Sequence, residues 1–354
     1  MTQGPSRLPG PMLALLAAVL FGLSAPAAKI LVGKLDPWLF AGILYLGSGI
    51  GLGILHLGRR AHAVASREAG LTRRDVPWLA GAIVTGGVVG PVLLMFALAS
   101  GTASASALLL NLEGVFTALL AAMLFREHVS ARIAAGMAAI TAGAATLAWE
   151  HRGGVGLDMS ALLVGGACLA WAIDNNLTRA VSAADPLTVA ALKGTVAGTA
   201  NVGIALVHGA AWPSATLTLA AAVVGFLGYG TSLVLFVRAL RNLGTSRTGA
   251  YFSTAPFVGA VAAVVVLREP LTLALAVGGA LMGLGVWLHI TEQHGHDHVH
   301  EPFTHEHAHL HDEHHQHEHP AGMPTGDVHT HRHTHSALQH HHSHYPDLHH
   351  RHGH

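Results

Sequence analysis

The sequence offers few side chains able to do chemistry in an apolar setting, and they fall into two groups. The first lies within long apolar runs: Glu113 beside Asn111 and Gly114, the triplet Asp174-Asn175-Asn176, Lys193, and Trp171 one helical turn before Asp174. An ionisable residue inside a membrane span costs at least about 2.5–3.5 kcal/mol on insertion scales, so each needs a partner or a function. Glu113 could take up a proton, ligate a cation, or hold the bundle together as a hydrogen-bonded neutral carboxyl. Asp174 and Lys193 stand at similar distances either side of a turn near Ala183, so on an antiparallel hairpin they sit at similar depth. They could form a structural ion pair. Alternatively, the triplet lines a cavity for a polar substrate group, with Lys193 as its counter-charge.

The second group is the C-terminal tail. Of 30 histidines, 24 lie after Thr291. They alternate at His296, His298, His300, at His305, His307, His309, His311, and at His329, His331, His333, His335, with Asp and Glu interleaved. Imidazoles two residues apart fall on one side of an extended chain, and such tracts bind Ni²⁺, Zn²⁺, Co²⁺ or Cu²⁺, simple affinity favouring Cu²⁺. An expression tag would be shorter and more regular. A pH-responsive acidic tail is the other reading. With hardly any large apolar residues, the tail is expected to be disordered.

What positions the first group is a set of membrane spans. The 354 residues are 51% hydrophobic and 11% charged, against about 25% charged in soluble domains. Before residue 291 the chain holds 17 basic and 10 acidic residues, and after it 2 basic and 9 acidic. Ten stretches of about 20 apolar residues can cross a bilayer core about 30 Å thick: roughly 11–33, 37–57, 76–98, 103–125, 131–149, 159–180, 187–208, 215–237, 246–267 and 271–290. The first is too long for the apolar region of a signal peptide. With the N-terminus inside, twelve Arg residues near span ends fall on the inner side and four Lys or Arg on the outer, which puts both termini in the cytoplasm of a cytoplasmic-membrane protein. The lone Cys168 builds no intrachain disulfide, the scattered Arg residues make no surface for nucleic acid, and no nucleophile–base pair or phosphate loop signals an enzyme.

The chain also repeats itself. At an offset of 142, Ala97 meets Ala239, Arg126-Glu127 meets Arg268-Glu269, Gly136 meets Gly278 and Gly143 meets Gly285. At 149, Asp36-Pro37 meets Asp185-Pro186, and Asn175 meets Pro26. Units of five spans must sit in opposite orientations, the inverted-repeat architecture of many carriers, and equivalent helix breaks near Pro26 and Asn175 would mark a mid-membrane site. Pro91 and Pro256 predict kinks within spans three and nine. Of the small-residue ladders, Gly47/Gly51 and Gly49/Gly53 predict close helix packing, and Gly279/Gly283 a candidate homodimer face.

Two five-span units, each with a Pro-initiated second span (LDPWLFAGILYL, ADPLTVAALKGT) and an Arg-Glu loop before its last span, resemble the EamA family of the drug/metabolite transporter superfamily. The resemblance covers about 11–290. It implies a ten-span carrier with a central cavity, which agrees with the all-α bundle of ten transmembrane helices read from the residues, 11–149 and 159–290 as inverted repeats and 291–354 as a disordered cytoplasmic tail. It also implies an exporter-type carrier for small metabolites or drugs. The family usually has a basic residue seven positions after that proline. Lys193 supplies it in the second half, whereas the first half has Leu44. A transition-metal carrier fed by the tail is the competing expectation, and a membrane-anchored metal sensor or store a weaker one.

Overall fold

The computed structural model describes residues 9–61, 71–125, 129–149, 158–181, 184–291, 295–300, 303–309, 329–335 and 338–343. Among them, the membrane part is helical throughout. The helices are α1 (Gly10–Val32), α2 (Pro37–Ala61), α3 (Val76–Ser100), α4 (Ala103–Phe125), α5 (Ala131–Trp149), α6 (Met159–Thr178), α7 (Pro186–Val207), α8 (Ala215–Leu240), α9 (Arg247–Val266) and α10 (Leu273–Ile290). Nine of these are long and apolar enough to cross a membrane. The tenth, α6, has the length but carries Asp174, Asn175 and Asn176 near its end.

The packing follows the repeat. Helix α1 packs on α8 and α9, and its counterpart α6 packs on α3 and α4. The equivalent helices α2 and α7 pack on each other, as do α5 and α10. The last two contacts are backbone to backbone. A Cβ on Gly136 would lie 2.9 Å from the Gly285 carbonyl oxygen, and one on Gly143 2.7 Å from that of Gly278. Glycines paired by the sequence repeat are thus the ones that meet, crosswise, at the α5–α10 contact. Gly42 and Gly49 of α2 meet Gly198 and Gly194 of α7 in the same manner. The ladder Gly279/Gly283 lies against Leu108 and Phe257 of the same chain, so it serves packing within the bundle.

Departures from α geometry also come in pairs. A π-turn occupies Ile83–Val89 in α3 and another Phe226–Thr231 in α8. Helix α4 breaks between Leu109 and Leu112, and α9 between Phe252 and Ala255. Pro91 follows the first π-turn and Pro256 the second break.

The interruptions the sequence suggested near Pro26 and at the Asp174-Asn175-Asn176 triplet are absent. Helix α1 runs unbroken through Pro26, and α6 through the polar triplet to Thr178. Proline removes one donor, its partner four residues back. That partner is the Gly22 carbonyl, against which Gly259 of α9 packs, 2.7 Å from its would-be Cβ. In α6, Asp174 and Asn175 bond to neighbouring helices, Asn176 bonds both to Thr117 of α4 and to the Ala172 carbonyl of its own helix, and the helix continues.

At one rim, both carboxylate oxygens of Glu269 accept from the amides of Ala103 and Ser104 at 2.8 Å. The Arg-Glu loop of the second repeat thereby caps α4 of the first. Its counterpart Arg126-Glu127 lies outside the described residues. Lys29 donates to the Leu98 and Gly101 carbonyls that end α3, at 2.5 and 2.7 Å.

In the tail, four stretches form two antiparallel ladders: β1 (Gly295–His300) with β4 (Leu338–Ser343), and β2 (Phe303–His309) with β3 (His329–His335). This differs from the expected absence of regular structure. His-x-His alternation has the two-residue period of a strand, and Val299, Phe303, Thr304, Thr330 and Thr334 are strand-favouring residues between the histidines.

Candidate functional site

The π-turn of α3 organises the polar centre of the bundle. A π-turn shifts the backbone ladder and turns carbonyls toward neighbouring helices. The Gly86 carbonyl accepts from Tyr45 of α2 at 2.8 Å and from the Trp171 indole of α6 at 2.9 Å. The Gly87 carbonyl accepts from Asn201 of α7 at 3.0 Å. The three glycines of this segment leave room for specific side chains. A Cβ on Gly86 would sit 1.9 Å from Asp174 Oδ2, on Gly87 2.5 Å from the Ala197 methyl, and on Gly90 2.9 Å from the Trp171 ring.

Beneath Gly86 lies the ion pair. Lys193 Nζ meets Asp174 Oδ1 at 2.5 Å, and the Thr178 hydroxyl donates to the same oxygen at 2.9 Å. Asp174 is 7% exposed. The pair is thus sealed between α3, α6 and α7, with the carboxylate satisfied from one side and wedged by glycine on the other. Asp174 and Lys193 thus meet as the hairpin spacing allowed.

Glu113 is different. It stands ten residues into α4, about 15 Å along the helix axis, in the first turn after the break. That restart gives the carboxyl a helix N-terminus at membrane depth, where negative charge is favoured. Its Oε1 accepts from Asn175 Nδ2 at 2.8 Å, and Asn175 also reaches Thr117 Oγ1 at 3.4 Å. Glu113 is half-buried and Asn175 exposed. Among the described residues no cation lies within ion-pair distance of Glu113. One carboxyl of the bundle is locked by a lysine, then, and the other is open and held by an amide.

Two predicted residues serve elsewhere. Asn111 donates to the Leu108 carbonyl at 2.8 Å, and the Cys168 thiol reaches the Leu109 carbonyl at 3.5 Å. Both contacts fall at the α4 break, where the Leu108 carbonyl also accepts from the Asn111 amide at 3.0 Å. Asn176 donates to Ala172 and Thr117 carbonyls at 2.9 and 3.3 Å, tying α6 to α4. Tyr45, Gly86 and Asn201 were missed. The adjacent Gly86-Gly87 was the available signal for a backbone opening. Of the eleven alternating tail histidines named from the sequence, His311 lies outside the described residues. The backbone of the other ten lies in the strands.

Fold and site together define an integral membrane protein built from two five-helix repeats around a polar centre. The EamA-like transporter family matches residues 8–149 and 158–291. The chain therefore belongs to the EamA-like transporter family, which is not an enzyme class. An uncharacterized transporter of Methanothermobacter thermautotrophicus (strain Delta H) is 29% identical over 296 residues, 80% of this chain and 86% of that protein. A solved structure, described only as the crystal structure of a protein, shares the fold with a TM-score of 0.59 at 20% identity. The match covers 80% of this chain and 96% of that one.

Proposed function

We propose that this transporter is a secondary carrier that exports a small organic metabolite or drug across the cytoplasmic membrane, with both termini inside. The observation that carries this reading is the open Glu113–Asn175 pair at the α4 break. On this reading Glu113 binds the substrate or the coupled proton, and Asn175 moves with it. The Asp174–Lys193 pair fixes α6 and α7 as one body. Equivalent breaks and π-turns in both repeats supply the bending points for alternating access. Among the described residues of the helical bundle no three His, Cys, Asp or Glu side chains converge, which favours an organic substrate in the bundle over a metal ion. The tail adds metal responsiveness.

The test compares cells expressing the full chain, residues 1–290 and Glu113→Gln at matched levels. It reads resistance to a panel of toxic organic solutes and cellular Ni, Co, Zn and Cu. Resistance to one or more solutes that survives in 1–290 and disappears in Glu113→Gln is the expected result. A metal content that changes with the full chain and reverts in Glu113→Gln would make the metal the cargo and overturn the organic reading.

A further inference from the structure

The two tail ladders share one register. Gly295 faces Ser343, and eight residues further on Phe303 faces His335, eight residues earlier on the returning strand. Within β2–β3 this sets His305 opposite His333, His307 opposite His331 and His309 opposite His329. Within β1–β4 it sets His296 opposite His342 and His298 opposite His340. Residues two apart on a strand share a face, as do directly opposed residues. The six histidine positions of the first set therefore share one face of the ladder as three adjacent cross-strand pairs, and the four of the second set share one face as two.

We propose that each ladder is a binding site for a divalent first-row transition metal, ligated by imidazoles of adjacent cross-strand histidine pairs. Two adjacent pairs put four Cβ positions on a rectangle about 5 Å across the strands and about 7 Å along them. That footprint suits four imidazoles converging on one ion with bonds of about 2.0–2.1 Å. The set accepts Zn²⁺ or Co²⁺ in tetrahedral and Cu²⁺ or Ni²⁺ in tetragonal coordination. On the opposite face of β2–β3 the register sets Glu306 opposite Arg332. A two-stranded ribbon is marginal alone, and metal binding adds its free energy to the folded form. The ion and the ladder thus stabilise each other. A disordered chelator would differ in one respect: its histidines would be interchangeable.

The experiment uses the full chain in detergent, stripped of metal and titrated with Zn²⁺ and with Co²⁺. It is compared with two variants that each remove three of the 24 tail histidines, H305A/H307A/H309A in the ladder and H314A/H315A/H317A in the stretch between β2 and β3. The expected result is about two tight ions per chain in the wild type and in the second variant, and about one in the first. The visible absorption of four-coordinate Co²⁺ falls by about half in the first variant alone. Hydrogen exchange at 295–309 and 329–343 slows on adding Zn²⁺. Equal loss in both variants, no tight site in the wild type, or binding that leaves those amides unprotected each overturns the proposal. None of these readouts involves transport, so the result stands independently of the carrier reading.

Discussion

The π-turns at Ile83–Val89 and Phe226–Thr231 occupy equivalent places in the two repeats, and their surroundings differ in kind. Around the first are Tyr45, Trp171 and Asn201 on backbone carbonyls, the Asp174–Lys193 pair, and Glu113 with Asn175. Around the second is a run of rings: Tyr229 lies 5.9 Å from Tyr45 and 5.8 Å from Phe21, and Phe21 lies 5.5 Å from Phe252. Where α4 carries Glu113 after its break, the equivalent position in α9 is Ala255. The repeat has kept the backbone devices in both copies and the charges in one. On the proposed carrier reading, the backbone geometry is scaffold that both halves use to bend, and the ionisable groups serve the cargo or coupled proton once.

This contrast can be broken most severely at Gly86. Gly86→Val forces a branched side chain into the space of the Asp174 carboxylate, and we expect no monodisperse protein on size exclusion after detergent extraction. Its twin Gly228→Ala meets only the Ser24 Cβ, at 2.7 Å, and should retain a reduced yield. Next in size is Lys193→Met, which strands a buried carboxylate and should cost about 3–5 kcal/mol, whereas adding Asp174→Asn to it returns most of that loss. Thermal unfolding in detergent measures both. Equal stability of wild type and Lys193→Met would remove the structural role of the pair. A functional effect with little change in stability is expected at the open pair. Glu113→Gln abolishes solute resistance at an unchanged unfolding midpoint, and Glu113→Ala with Ala255→Glu does not restore it. Restored resistance in that double variant would show the two halves to be interchangeable. The smallest effect is Tyr45→Phe, about 1 kcal/mol for one hydrogen bond, because Trp171 still serves the Gly86 carbonyl.

Much of this was legible in the residues. Length and apolarity set the helices, the offset of 142 identified the glycines that cross at α5–α10, and the antiparallel hairpin count brought Asp174 to Lys193. What the sequence could not convey was direction. Successive helical residues point about 100° apart, so the triplet 174–176 splits three ways: Asp174 to α7, Asn175 to Glu113, and Asn176 to the α4 backbone. Three adjacent polar letters are not one cluster. The π-turns have no composition of their own, and Tyr45 reads as another apolar residue until a free carbonyl appears opposite it. Pro26 misled for the converse reason, since a single missing donor is absorbed where glycine lets a neighbour close in.

The glycine crossings carry a mechanical consequence. Where α2 meets α7 and α5 meets α10, glycines bring main chain against main chain, with Val202, Met282, His289 and Ile140 packed beside them. Both crossings join symmetry-related helices. On the carrier reading proposed above, they are the two seams where the halves of the molecule pivot on each other.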